Sequence, residues 1–174
     1  AAIQIAKALG AGVIAVASGK AKLEACREEG ADGLVDASEG ELREQLRELT
    51  GGKGVDVVLD MVGGDTTEAM LRSLAPFGRL LIVGYASRSI PVIKGNLVLL
   101  KQAQVIGVSY RLLAEADPAA AARNMEAPAA LAPAGPPRPR TCAVHPLEDI
   151  VPAIQAMERR ESVGKIAIAI QASK

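Results

Sequence analysis

The stretch VDVVLDMVGGDTTEAMLRSLAPFGRLLIVG, residues 55–84, contains the pattern that decides the fold. Its two ends, residues 55–60 and 79–84, are short aliphatic runs, which are typical of strands covered on both faces. Between them, Asp65 followed by Glu68 predicts a capped helix that begins just after two glycines. A strand, a helix and a second strand in this order predict a parallel βαβ unit with a right-handed crossover.

The same alternation continues on both sides of this stretch. Further strands are predicted at residues 12–18, 33–36, 104–110 and 165–170. Helices are predicted at residues 2–9, 20–30, 96–102 and 145–160, and a capping box at Ser38 and Glu41 predicts another. Strands that alternate with helices in this way predict an α/β fold with a doubly wound parallel sheet, in which ligands bind at the carboxyl ends of the strands.

Prolines divide the chain. Half of its ten prolines fall between residues 128 and 139, where they remove backbone donors and disfavour a continuous helix. We therefore predict a cofactor-binding domain over residues 1–125, an irregular connector over residues 126–143, and a C-terminal helix and strand over residues 144–174.

Composition disfavours several classes of function. The 20 basic residues balance the 20 acidic ones and aromatic residues make up 2%, so nucleic-acid binding is not predicted. No apolar run is long enough to cross a bilayer. Cys26 and Cys142 lie far apart, and with the single His145 they form no metal motif, so no metal site is predicted. Cys26 is predicted to be a core thiol and His145 a structural histidine. Reduced thiols predict a cytoplasmic location.

The residues after the first predicted strand indicate the cofactor. In dinucleotide-binding folds an acidic residue at this point binds the ribose hydroxyls of NAD. Here the chain has Ser18, Gly19, Lys20 and Lys22, whose hydroxyl and ammonium groups suit a 2′-phosphate, so NADP(H) is predicted. The alternative is that Lys20 and Lys22 are solvated charges in the first turn of a helix.

Two more glycine-containing turns follow predicted strands, DMVGGD at residues 60–65 and IVGYASR at residues 82–88. Glycine lets the backbone approach a flat ring closely. Either segment alone is better explained as an ordinary turn. Together with the turn after Ala17, they predict a ligand site at one edge of the sheet, and no residue in them is an evident catalytic acid or base.

Four segments, read in order, resemble a known family: QIAKALGAGVIAVASGKAKLEACREEGAD, TGGKGVDVVLDMVGGD, LAPFGRLLIVGYAS and HPLEDIVPAIQAMERRESVGKIAIAI. The chain resembles the medium-chain dehydrogenase/reductases, and within them the zinc-independent NADPH:quinone oxidoreductases, the zeta-crystallin-like branch. The resemblance covers most of residues 1–111 and 144–170. It implies a Rossmann-like cofactor domain that lacks the family's first strand and its glycine-rich turn. It also implies a C-terminal fragment, in which residues 144–174 pack on a catalytic domain outside this chain.

The resemblance implies which residues bind the cofactor. It assigns Ser18 and Lys22 to the 2′-phosphate, and Gly19 between them to the cofactor-binding residues. It places Arg160, together with Lys165, near the phosphates. It places the turn that begins at Asp60, with Met61, Val62 and Gly63, near the adenosine ribose. It also places Gly84, Tyr85 and Ala86 near the nicotinamide half, and the segment from Gly107 to Ser109, with Val108, beside the nicotinamide amide. Ala37 departs from the branch, which often has an aromatic residue against adenine at this position.

Two classes of function follow from the resemblance. The first is an NADPH-dependent reductase that transfers hydride to a small-molecule substrate, a quinone or an α,β-unsaturated carbonyl. The second is a non-catalytic module that binds cofactor or forms a homodimer through the strand at residues 104–109. An enoyl reductase or a zinc alcohol dehydrogenase relative remains open within the enzyme class.

Overall fold

The structure is a computed structural model that describes residues 1–130 and 137–170. Helices and strands alternate along most of it. The strands are β1 (Ile14–Ala17), β2 (Gly33–Asp36), β3 (Val55–Asp60), β4 (Leu74–Ile82), β5 (Gln104–Gly107), β6 (Thr141–Pro146) and β7 (Lys165–Ala169). The helices are α1 (Ala2–Ala8), α2 (Lys20–Glu28), α3 (Leu42–Leu49), α4 (Thr66–Ser73), α5 (Gly95–Lys101), α6 (Tyr110–Ala116), α7 (Pro118–Ala130) and α8 (Ile150–Glu158). None of the helices described is long and apolar enough to cross a membrane.

The chain divides into two compact units. Unit 1 comprises residues 1–15 and 19–34 and the described part of residues 128–174, and unit 2 comprises residues 16–18 and 35–127. In unit 1, β6 and β7 pair in parallel, with His145 opposite Ile168. Also in unit 1, the Lys7 ammonium lies 2.7 Å from the carboxylate of Asp32, which accepts a hydrogen bond from the backbone N–H of Val13.

Unit 2 is built on a parallel sheet of three strands in the order β3-β4-β5. Val58 of β3 lies opposite Leu80 of β4, which lies opposite Val105 of β5. These residues face a core that is completed from α4 and α5, and its buried members are Val58, Leu71, Leu74, Leu80 and Leu97. The opposite face of β3 carries Val57 and Leu59, which are 41% and 45% exposed. The helices of this unit therefore bury one face of β3.

The predicted α/β class with parallel strands is confirmed. The bounds of β2 and β3, residues 33–36 and 55–60, are those of the predicted segments. The strands described form three separate sheets, β1-β2, β3-β4-β5 and β6-β7. No described strand hydrogen-bonds to both β1 and β3, which agrees with the gap expected for a sheet that lacks the family's first strand.

The two predicted helix caps are wrong. Ser38 does not cap α3, because its N–H and hydroxyl both donate to the carboxylate of Asp36. The cap position is instead Glu41, which makes no side-chain cap bond. Asp65 occupies the cap position of α4 but has helical dihedrals, φ −68° and ψ −24°, and makes no side-chain cap bond either. A capping residue normally has an extended backbone, which turns its side chain toward the free N–H groups.

The predicted irregular connector is shorter in the structure. Helix α7 continues to Ala130, and β6 begins at Thr141 and pairs with β7. Residues 131–136 of the predicted connector lie outside the described residues. The division into domains at residues 125 and 143 stays a prediction.

Candidate cofactor-binding site

The three strands of unit 2 end at the same edge of the sheet. Asp60 is paired with Ile82, and Ile82 is paired with Gly107, so the last residues of β3, β4 and β5 lie side by side. The N–H of Val108 then donates to the carbonyl of Ile82 at 2.8 Å. The segments that follow the strands therefore leave the sheet next to one another, as a parallel arrangement requires.

The carboxylate of Asp60 shapes the segment after β3, which we call the β3 turn (residues 61–64). Asp60 is 6% exposed. Its Oδ1 accepts hydrogen bonds from the N–H groups of Val62 and Gly63, both at 2.9 Å. Its Oδ2 accepts a hydrogen bond of 2.7 Å from the hydroxyl of Thr67, a fully buried residue of α4. One buried side chain therefore fixes both the turn and the start of the helix after it.

The segment after β4, the β4 turn (residues 83–89), is hydrogen-bonded to the β3 turn along its length. Val83 N–H donates to the Asp60 carbonyl at 2.8 Å, and Ala86 N–H donates to the Met61 carbonyl at 3.0 Å. A third bond of 2.9 Å joins Ser87 N–H to the Val62 carbonyl. The pairing of the two strands thus continues into their turns.

Gly63 is in close contact with the β4 turn. Its φ is +69°, and a Cβ atom built on it would lie 2.7 Å from Cδ1 of Tyr85 and 2.9 Å from the carbonyl oxygen of Ser89. Only a glycine satisfies both the left-handed backbone and the lack of space. By contrast, a Cβ on Gly84 would have Met61 O, at 3.8 Å, as its nearest neighbour. Gly84 leaves open space beside the backbone at this edge.

The structure brings together six predicted site residues in the two turns: Met61, Val62, Gly63, Gly84, Tyr85 and Ala86. Ser109 follows directly after Val108, and its hydroxyl caps α6 by accepting from the N–H of Leu112 at 3.3 Å. Tyr85 is 41% exposed, so its ring is available to a ligand at the strand ends. Asp60 was predicted only as the beginning of the turn, because its three hydrogen bonds depend on a burial that the sequence does not reveal.

The predicted 2′-phosphate site lies between β1 and α2. Ser18 directly follows β1, Gly19 directly precedes α2, and Lys22 is the third residue of this helix. Gly19, with φ +87°, is the N-cap residue of this helix, and its carbonyl accepts from Lys22 N–H at 3.1 Å. Ser18 and Lys20 are exposed and Lys22 is half-buried. In the described part of the chain, neither lysine side chain has a hydrogen bond or ion pair.

Arg160 and Lys165 lie in unit 1. Arg160 follows the end of α8, where its φ is +59° and its N–H donates to the carbonyl of Met157 at 3.0 Å. Lys165 begins β7 and is exposed. Their place near the cofactor phosphates stays a prediction.

An open cleft of about 580 Å³ lies on unit 2 beside the two turns. It is bordered by Gly64 of the β3 turn, by the segment from Ser89 to Val92, and by Glu68, Arg72 and Lys94. None of the predicted cofactor-binding residues lines it. The cleft is therefore a neighbour of the predicted site and not the site itself.

An ion pair joins the cleft's two walls. The carboxylate of Glu68 lies 2.6 Å from the Lys94 ammonium and 2.8 Å from the Arg72 guanidinium. Hydrogen bonds from Lys94 and then Arg72 lower the pKa of Glu68. These cations stabilise the charged carboxylate, so α4 is tied to the loop that follows the β4 turn.

We expect the stabilising effect of Glu68 to depend on pH with a definite sign. A lowered pKa in the folded state means that the effect is present above the ordinary glutamate pKa and is lost as the pH falls through the folded value. NMR titration of the Glu68 carboxyl carbon should give a midpoint below that of an ordinary glutamate. Lys94→Met should raise this midpoint, and the control Lys53→Met should not; equal midpoints in all three proteins would contradict the ion pair.

Comparison with known proteins identifies the family. Residues 1–127 match the family described as zinc-binding dehydrogenase. The chain belongs to this family. The predicted resemblance to the cofactor-binding half of medium-chain dehydrogenase/reductases is thereby confirmed. Among the residues described, no group of three or more His, Cys, Asp and Glu residues is placed to hold a metal ion. Zinc independence stays a prediction.

Several known proteins resemble the chain over nearly all of its length. Quinone oxidoreductase-like protein 2 of Rattus norvegicus is 34% identical over 91% of the chain and 45% of that protein. A probable oxidoreductase from Mycobacterium abscessus has a TM-score of 0.82 and 32% identity over 97% of the chain and 50% of that protein. A mycobacterial protein whose structure was solved in complex with NADPH has a TM-score of 0.76 and 29% identity, over 97% of the chain and 53% of that protein. The chain thus spans about half the length of the curated relatives it matches.

Proposed function

We propose that this chain forms the cofactor-binding half of an NADPH-dependent oxidoreductase that reduces a quinone or an α,β-unsaturated carbonyl. The observation that carries the proposal is the pair of interlocked glycine turns at the carboxyl edge of a parallel sheet, where dinucleotides bind in this class of fold. Two relatives support the finer assignment, one described as quinone oxidoreductase-like and one complexed with NADPH.

The start of α2 favours NADP(H) over NAD(H). Lys20 and Lys22 stand in the first turn of the helix, where the helix dipole disfavours cations. No acidic side chain among the described residues neutralises them. A 2′-phosphate would supply the missing negative charge to both lysines, whereas the ribose hydroxyl of NAD(H) would not.

The protein's own contribution is orientation. When bound, the nicotinamide supplies the hydride, and the protein places its ring and keeps water away from it. Gly84 leaves room for a flat ring against the backbone, and Tyr85 offers a half-exposed aromatic face beside it. Neither residue needs to exchange a proton for this role.

Titration of the chain with NADPH tests the proposal directly. We expect the fluorescence of the reduced nicotinamide to increase on binding, with a stronger response to NADPH than to NADH. No increase at millimolar NADPH would contradict the proposal. Reduction of a quinone or an enone requires a separate assay, in a protein that contains the remaining half of the relatives' length.

A homodimer is the second candidate function, and the edge of the three-stranded sheet supports it. β5 is the last strand in the order β3-β4-β5, and no described strand pairs with its outer side. Val108 N–H points to β4, so by strand alternation the N–H of Gly107 points outward. An unpaired edge of this kind can hydrogen-bond to a second copy of the chain.

Gly107→Pro should abolish such a dimer, because proline removes the outward N–H. The matched control is Gly107→Ala, which keeps the N–H and whose Cβ would meet nothing within 4 Å. Sedimentation equilibrium should show a dimer for the unaltered chain and for Gly107→Ala, and a monomer for Gly107→Pro. A monomer in all three cases would exclude pairing through β5.

A further inference from the structure

We infer that Asp60 is a positioning residue that sets the ring of Tyr85 at the cofactor site by acting through Gly63. This inference rests on the proposed function, because Tyr85 is taken to contact the nicotinamide half. It goes beyond that function by assigning a role to a buried carboxylate that does not itself face the ligand.

The carboxylate holds the turn in one conformation. Asp60 Oδ1 accepts hydrogen bonds from the N–H groups of Val62 and Gly63. Both residues precede the point where the chain reverses into α4. Gly63 and Gly64 both have a φ of +69°, and neither belongs to a helix or a strand. Hydrogen bonds to a charged acceptor are stronger than neutral ones, so Asp60 is well suited to fix this glycine pair.

The position of the turn sets the position of the ring. Gly63 lies so close to Tyr85 that a Cβ on it would overlap the ring carbon Cδ1, at 2.7 Å. Meanwhile the Met61 and Val62 carbonyls hold the backbone of Ala86 and Ser87. A shift of the β3 turn therefore moves both the backbone of Gly63, which the tyrosine ring contacts, and the backbone of the β4 turn, which carries the ring.

Thr67 connects the same carboxylate to α4. Its hydroxyl is fully buried and donates to Asp60 Oδ2 at 2.7 Å. Without this donor, one oxygen of a buried carboxylate would be left without a hydrogen bond, which favours movement of the side chain. Thr67 therefore supports Asp60, and its loss should weaken the positioning in the same direction but less.

The chain's composition provides a direct readout of the ring. It contains no tryptophan and two tyrosines, so Tyr110→Phe leaves Tyr85 as the source of tyrosine emission. Reduced nicotinamide absorbs where tyrosine emits, so NADPH bound next to Tyr85 should quench it. We propose to measure Tyr85 emission and its quenching by NADPH in the Tyr110→Phe background, together with the Kd for NADPH and the urea midpoint.

Four further variants are compared in that background. Asp60→Ala should raise the Kd for NADPH about tenfold, and Thr67→Val about threefold, both with weaker maximal quenching. Asp60→Asn keeps an acceptor for Val62 and Gly63 but turns an NH2 group toward the Thr67 hydroxyl, so its Kd should rise about threefold, as for Thr67→Val, and less than that of Asp60→Ala. Ser73→Ala is the matched control, because it also removes a buried hydroxyl from α4, one that donates to the Ala69 carbonyl. It should change stability without changing the quenching.

The outcomes separate this inference from the proposed function. Suppose that the Tyr110→Phe chain binds NADPH and that a folded Asp60→Ala variant has the same Kd and the same quenching. This result would overturn the role of Asp60 and leave the proposed function standing. If Asp60→Ala does not fold, Thr67→Val decides, and a Thr67→Val variant indistinguishable from Ser73→Ala would overturn the role. No binding of NADPH by the unaltered chain would overturn the proposed function and this inference with it.

Discussion

Replacing Lys22 with glutamate is expected to raise the Kd for NADPH about 30-fold or more while changing the Kd for NADH less than about threefold. The reason is that Lys22 is half-buried in the first turn of α2 and has no partner among the residues described. A glutamate there would place a carboxylate next to the 2′-phosphate. It would instead resemble the acidic residue that binds the ribose hydroxyls of NAD.

The control for this variant is Lys53→Glu. Lys53 is an exposed lysine of the turn between α3 and β3, at the end of β3 opposite to Asp60. The Lys53→Glu substitution changes the net charge by the same amount but at a position away from the predicted phosphate site. Titration of both variants with NADPH and NADH at a fixed salt concentration should show a cofactor-selective loss for Lys22→Glu alone. Equal losses for the two cofactors would contradict the assignment of Lys22.

The sequence was sufficient to predict elements that depend on local patterns. The aliphatic run at residues 55–60 became β3 with the same bounds, and the glycines after it became the β3 turn. The order of strands and helices was enough to predict parallel pairing. These features are encoded by neighbouring residues, so a single sequence shows them.

Features that depend on competition between partners could not be predicted. Ser38 was a plausible helix cap until the fold placed the Asp36 carboxylate within reach of its hydroxyl. Similarly, Glu68 completes a capping motif by spacing but pairs with Lys94, which is distant in sequence. Ser38 is held by a carboxylate two residues away. Glu68 is held both by Arg72 of its own helix and by Lys94 of a later segment. In each case another partner took the place of the free N–H groups at the start of the helix.

The candidate site divides in the same way. Glycines at the strand ends located the β3 and β4 turns, because close backbone approach requires them. The role of Asp60 was not predicted, since an aspartate at a strand end is usually solvated, and only the structure shows it 6% exposed with three donors. The two lysines after β1 already indicated a phosphate in the sequence, and the structure adds that neither has an ion pair among the residues described.

Gly63→Ala is expected to lower the free energy of unfolding by about 2 to 4 kcal/mol. Part of the loss comes from a φ of +69°, which costs an L-residue about 1 to 2 kcal/mol. The rest comes from overlap with Tyr85 Cδ1 at 2.7 Å and with the Ser89 carbonyl oxygen at 2.9 Å. The ring can rotate away, but the carbonyl is backbone, so the β4 turn itself must shift.

The matched control is Gly84→Ala, which adds the same methyl group to the other turn. Its φ is not positive and its nearest neighbour would be Met61 O at 3.8 Å, so a loss of less than about 1 kcal/mol is expected. Urea unfolding followed by circular dichroism measures both. A Gly63→Ala variant as stable as Gly84→Ala would mean that the two turns are not interlocked. The site would then lack a fixed backbone against which a dinucleotide could be oriented, because that rigidity depends on the close contact between Gly63 and Tyr85.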